Sequence, residues 1–161
     1  MPARCRHPER PTGSRSGQPL PVAVALVDRG AYDAVIAKHR GKVVLVDFWA
    51  TWCPPCVEQL PHALELGRQF ADRGLAVVTV SCDEKSEIGN VAGFLTSQKA
   101  DVATNLISEF GTSTATMEEF EIENGAVPSY KLYDRKGALR QTFGMTSPGE
   151  IDQAVEQLLS E

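Results

Sequence analysis

No run of 18 apolar residues occurs in the 161-residue chain, so no segment has the length and composition of a membrane-spanning helix. Cysteine is scarce, with four residues and a single pair at CxxC spacing, Cys53 and Cys56. That is too few for a disulfide-stapled scaffold. With no second paired motif, the leftover Cys5, Cys82, His7, His39 and His62 do not complete a tetrahedral zinc site, so no metal is expected. Val57 rather than His follows Cys56, which removes the CxxCH haem-attachment motif. The first 21 residues lack the apolar core of a secretory signal, and no apolar stretch precedes Cys5 as a lipoprotein signal requires. Internal repeats and low-complexity arrays are absent as well.

What is present fits one globular domain. The chain is 42% hydrophobic and 23% charged, long enough for one core and short for two. Residues 1–21, basic and rich in Pro and Arg, read as a disordered tail, leaving 22–161 as the domain. Of the net charge of -5, the first 20 residues contribute about +3, so the body is acidic. An acidic body argues against nucleic acid as a partner.

Val22–Val27 has the apolar content of a first strand, with Asp28 placed to cap a helix running through Tyr32, Val35 and Ile36 to His39. Val43–Trp49 is a continuous apolar run, the pattern of a central strand buried on both faces. From Pro54, apolar residues recur at three- and four-residue steps to a C-cap at Arg73-Gly74, with Pro61 expected to kink the helix near Val57. Leu75–Ser81 follows as a second buried strand, which makes a right-handed βαβ unit. A weaker helix is expected over 86–99, a short run near Val102–Ile107, and a helical turn carrying Met117, Phe120 and Ile122. A hairpin then turns at Asp134–Gly137, and Ser147-Pro148-Gly149-Glu150 opens a final helix as a capping box.

The chemistry concentrates where the central strand meets its helix, at Cys53-Pro54-Pro55-Cys56. A helix N-terminus favours negative charge and lowers the pKa of a thiol placed there. Two cysteines at this spacing can close a small reversible disulfide: the first, nearer solvent, is the attacking thiol, and the second, one turn into the helix, resolves the mixed disulfide. Pro54 and Pro55 bring no N–H donors, so thiolate stabilisation at Cys53 is expected to be moderate, which favours a reductant over a strong oxidase. Asp47, six residues upstream among apolar neighbours, suits a general base for the Cys56 thiol. Trp49 reads as core and Trp52 as an exposed platform beside the cysteines. Cys82 reads as a small core residue, and His39 and His62 as surface residues.

The run Val46-Asp47-Phe48-Trp49-Ala50-Thr51-Trp52-Cys53-Pro54-Pro55-Cys56, the Val127-Pro128 step before a strand, and the closing helix resemble the thioredoxin superfamily, and within it the TlpA/ResA-type thiol-disulfide oxidoreductases. The resemblance covers about residues 24–160. It implies an α/β thioredoxin fold, a central mixed β-sheet flanked by helices on both sides, with an insertion around residues 83–125. It also puts the nucleophile on Cys53, the resolving thiol on Cys56 and a cis-proline on Pro128, with Pro54, Trp52, Val127 and Pro128 facing substrate. Asp47 matches the buried acid of thioredoxins. Glu84, ahead of Asp83, matches an acidic residue found in the TlpA/ResA type after the second βαβ strand.

The activity implied is reduction of protein disulfides by a monomer that needs no cofactor beyond its own disulfide. Its partners are a disulfide-containing protein and an upstream thiol electron donor. The resemblance implies a periplasmic or other extracytoplasmic place, whereas the lack of a signal sequence in this chain fits either the cytoplasm or a sequence that begins downstream of its export signal. A copper chaperone of Sco type needs CxxxC and a distant His, and a peroxiredoxin needs a Thr-x-x-Cys context; neither pattern is present. The remaining alternative is a binding module that uses the fold without turnover.

Overall fold

The computed structural model describes residues 20–161. The expected tail lies outside them apart from Leu20 and Pro21, both exposed, and so do Cys5 and His7. The first strand, β1 (Ala25–Val27), is shorter than the apolar run because the Val22 N–H is drawn off to Thr96 Oγ1 at 3.0 Å. Asp28 caps α1 (Arg29–Lys38) as expected, its carboxylate accepting from the Ala31 N–H at 2.8 Å. All seven residues of β2 (Val43–Trp49) are buried. It leads into α2 (Pro54–Gln69), which continues through Pro61. The helix stops four residues before Arg73; Ala71–Arg73 form a 3-10 turn, and Gly74 reverses the chain at φ 91°, a left-handed conformation open to glycine.

Then come β3 (Leu75–Ser81), α3 (Ile88–Ser97), β4 (Thr104–Ser108), α4 (Thr114–Glu119), the hairpin β5 (Ser129–Tyr133) and β6 (Leu139–Phe143), and α5 (Pro148–Leu159). The sheet order is β1-β4-β3-β2-β5-β6; the first four in that order are mutually parallel, and β5 runs antiparallel to both β2 and β6. Part of the stretch expected as an insertion therefore belongs to the sheet itself, since β4 pairs with both β1 and β3. Ser147 makes no side-chain cap at α5. The carboxylate meant to complete that box, Glu150, accepts the Thr146 hydroxyl instead.

The core forms two apolar clusters. One joins Val44, Val46 and Phe48 to Tyr32, Ile36 and Phe120. The other joins Val43 and Leu45 to Ala63 and Leu66 of α2 and to Ile151, Val155 and Leu158 of α5. Alternation along β2 puts Asp47 on the Val43–Leu45 face, whose next member, Trp49, joins the first cluster together with Cys56, Leu60 and Leu64 of α2.

Helix α4 is bound into the first cluster. Phe120 meets Tyr32 edge-on at 5.4 Å between centroids and lies 5.9 Å from Phe48. Its carbonyl accepts a 2.6 Å hydrogen bond from Nζ of Lys131, a lysine only 3% exposed whose pKa is lowered by burial. Phe120→Ala is expected to cost about 3–5 kcal/mol in denaturant unfolding. A loss under about 1 kcal/mol would mean that α4 is an appendage to the core.

Candidate active site

Cys53 ends the loop from β2 and is the N-cap of α2; Cys56 lies in the first turn. They form a disulfide with their Cα atoms 5.3 Å apart. Cys53 is 6% exposed and Cys56 fully buried, the order of accessibility expected of an attacking and a resolving thiol. Prolines fill the first two helical positions, so neither peptide nitrogen there can donate. The next N–H, that of Cys56, reaches Cys53 Sγ at 3.3 Å, while the Val57 N–H goes to the Cys53 carbonyl at 3.1 Å. The helix thus offers the Cys53 sulfur one direct donor.

Asp47 is 0% exposed, and neither carboxylate oxygen has a hydrogen-bond partner. Its cross-strand neighbours explain why. In register it lies between Thr79 of β3 and Tyr130 of β5, and Thr79 lies beside Asn105 of β4. The Thr79 hydroxyl donates to Asn105 Oδ1 at 2.7 Å, and the Tyr130 hydroxyl donates to Gln59 Oε1 at 2.8 Å. Both nearby hydroxyl protons are turned away from the carboxylate. Desolvation without compensation raises its pKa from 3.8 to about 8.

The two acids after β3 occupy different surroundings. Asp83 is 2% exposed and accepts from the backbone N–H and the hydroxyl of Thr51, and from Ser81 Oγ at 2.6 Å. Glu84 is exposed; it accepts from the N–H and hydroxyl of Thr112 at 3.0 and 2.7 Å, and these bonds lower its pKa. The sequence reading set Glu84 ahead of Asp83, but the acid against the turn before Cys53 is Asp83. Thr51 is 32 residues away in sequence, and the parallel pairing of β2 with β3 brings the two together.

Across the cysteines, the Val127–Pro128 peptide bond is cis, and the Val127 carbonyl lies 3.7 Å from Cys53 Sγ. Pro128 is buried and Val127 half-buried, while Pro54 is exposed. Trp52 is 54% exposed; Trp49 is fully buried and packs on Phe94 at 5.4 Å. Sequence reasoning missed Met145, 69% exposed two residues beyond Phe143, which pairs with Tyr130. It lies at the same end of the sheet as Pro128, and a single Met in a Gly-Met-Thr loop carries no periodic signal. Cys82 is buried, and burial pushes its thiol up to about 12. His62, expected at the surface, is half-buried and 2.6 Å from Asp152 of α5, a contact created by the packing of α5 beside α2. Among the described residues, no group of three or more His, Cys, Asp or Glu side chains is arranged to hold a metal ion.

A mixed sheet with a CxxC disulfide at the N-terminus of its central helix, faced by a cis-proline, defines a thioredoxin-fold protein. The AhpC/TSA family model matches residues 18–153, and the chain belongs to that family. It is 36% identical over 124 residues to the thiol-disulfide oxidoreductase ResA of Bacillus thuringiensis, across 74% of this chain and 65% of that protein. It is 28% identical over 122 residues to ResA of Oceanobacillus iheyensis, across 75% of this chain and 53% of that one. The chain therefore spans only about half to two-thirds the length of these relatives. Among solved structures it resembles a thiol-disulfide isomerase from Corynebacterium glutamicum, with a TM-score of 0.62 and 25% identity over 78% of this chain and 85% of that one.

The raised pKa of Asp47 has a consequence for stability. The folded protein holds this proton more tightly than the unfolded chain does. The contribution is therefore complete below the ordinary value of 3.8 and is lost as pH rises through about 8. Relative to Asp47→Asn, the oxidised protein should lose about 1.4 kcal/mol of unfolding free energy per pH unit between roughly pH 5 and 7. Parallel stability-versus-pH curves for the two proteins would show that Asp47 is not desolvated.

Proposed function

We propose that this protein is a thiol-disulfide oxidoreductase that reduces disulfide bonds in proteins. The observation that carries the reading is the arrangement of its dithiol: Cys53 at the surface end of the pair, Cys56 sealed behind it, and an unpartnered Asp47 on the strand that α2 covers. The Cys53 thiolate attacks one sulfur of the substrate disulfide, forming a mixed disulfide and releasing the other substrate sulfur as a thiolate. Asp47 takes the Cys56 proton, directly or through water. The Cys56 thiolate then attacks Cys53 Sγ, the second substrate thiol leaves, and two electrons have passed to the substrate. An upstream thiol donor returns the Cys53–Cys56 disulfide to the dithiol.

A single N–H donor at Cys53 supports a moderate rather than an extreme lowering of its thiol pKa, in keeping with a reductant. Substrate is proposed to lie across Trp52, Pro54, Val127 and Pro128, where the sheet end exposes apolar surface next to the reactive sulfur. Glu84 receives no step, since Thr112 occupies its carboxylate. The likeness to ResA supports disulfide-bonded proteins as substrates and an extracytoplasmic setting. No helix among the described residues is long and apolar enough to cross a membrane.

With dithiothreitol as electron source, the wild-type protein should accelerate insulin-disulfide reduction, and Cys53→Ser should leave only the uncatalysed rate. Equal rates for the two proteins would leave a binding module without turnover.

A further inference from the structure

We propose that Asp83 is a positioning residue for the attacking thiol: it clamps Thr51 and thereby fixes the turn that delivers Cys53 to the N-terminus of α2. The inference rests on the dithiol reading above, but its test does not depend on a protein substrate. Ala50-Thr51-Trp52-Cys53 is a β-turn closed by the Cys53 N–H on the Ala50 carbonyl at 3.2 Å. Thr51, the first central residue of that turn, is exposed. What holds it is Asp83, which accepts both its N–H, at 3.0 Å, and its hydroxyl.

Asp83 is in turn fixed from its own strand. Ser81 Oγ donates to its carboxylate at 2.6 Å and accepts from its N–H at 3.1 Å. The Cys82 N–H on the Trp49 carbonyl, at 2.7 Å, extends the β2–β3 pairing up to the clamp. The turn before Cys53 is thus tied to the rigid sheet through one buried carboxylate whose observed partners include three donor groups: one backbone N–H and two hydroxyls. Directly beyond the turn, the Cys56 N–H must meet Cys53 Sγ at 3.3 Å, with no neighbouring N–H to replace it because of the two prolines. A shift of the turn by a fraction of an ångström weakens that lone contact. A helix start with several free N–H groups would tolerate the same shift better.

The clamp and a plain charge effect predict opposite signs. Removing a negative charge near a thiol stabilises the thiolate, whereas loosening the turn removes its donor and destabilises it. The experiment is the pH dependence of Cys53 alkylation by iodoacetamide in the reduced protein, for wild type, Asp83→Asn, Thr51→Val and Thr51→Ser. If the clamp acts as described, Asp83→Asn raises the midpoint by about one pH unit, equivalent to about tenfold slower alkylation below the midpoint. Thr51→Val, which keeps the N–H bond but loses the hydroxyl, shifts it the same way by less, and Thr51→Ser restores the wild-type profile.

An unchanged or lowered midpoint in Asp83→Asn overturns the proposal, as does a wild-type midpoint in Thr51→Val. Should Asp83→Asn fail to fold, the two Thr51 variants decide alone. Because alkylation reads the thiol itself, the result stands even if the wild-type protein does not reduce insulin. Failure of the clamp and failure of the proposed function are therefore separate outcomes.

Discussion

A fully buried carboxylate without a hydrogen-bond partner, on the central strand beneath α2, is the constraint on which the rest of this structure turns. Burying a polar group without a partner costs free energy, and the usual remedy is a nearby donor. Here the donors in register with Asp47 are present but committed elsewhere, Thr79 to Asn105 and Tyr130 to Gln59. The site therefore keeps a carboxylate whose pKa burial raises to about 8, which is what lets it serve as a base in the proposed mechanism. A core optimised for stability alone would place an apolar residue there, as Val43 and Leu45 already do earlier on the same face.

In the proposed mechanism the cysteines divide their work along the same axis, from solvent inward. Cys53 depends on α2 for its one N–H contact and on the β2–β3 register for the turn that positions it. Cys56 lies deeper and, in the proposed mechanism, depends on Asp47 for its proton. Opposite them, the loop before β5 brings the Val127 carbonyl to 3.7 Å from Cys53 Sγ. Helix α4 and the Lys131–Phe120 bond tie down the segment leading to that loop. The cluster that packs Phe120 also holds Cys53 and Cys56, so one body of core supports both the loop and the disulfide.

Most of the frame was legible because its signals are local. Val43–Trp49 and Leu75–Ser81 are apolar runs of strand length, Asp28 precedes a helix as a cap should, and the CxxC falls at a strand-to-helix junction. Errors arose where a contact between distant segments overrode a local pattern. Val22 left its strand for Thr96, Glu150 took Thr146 rather than completing a capping box, and His62 found Asp152 across two helices. The choice between Asp83 and Glu84 was of the same kind. Adjacent acids look alike in sequence, and which one turns inward is settled by Thr51 and Ser81, side chains that the sheet register assembles. Residues 100–125 were hard to read because β4 is short and edged by polar residues, and its place between β1 and β3 follows from pairing rather than from its own periodicity.

If the unpartnered carboxylate is what makes Cys56 a resolving thiol, its removal must slow one step and spare the other. In single-turnover reaction of the reduced protein with a disulfide peptide, attack by Cys53 and release of the mixed disulfide by Cys56 are separable phases. Asp47→Asn should leave the attack rate near wild type and slow the release by about a hundredfold at pH 7, within the range typical of a lost general base. An unchanged release rate would contradict the account.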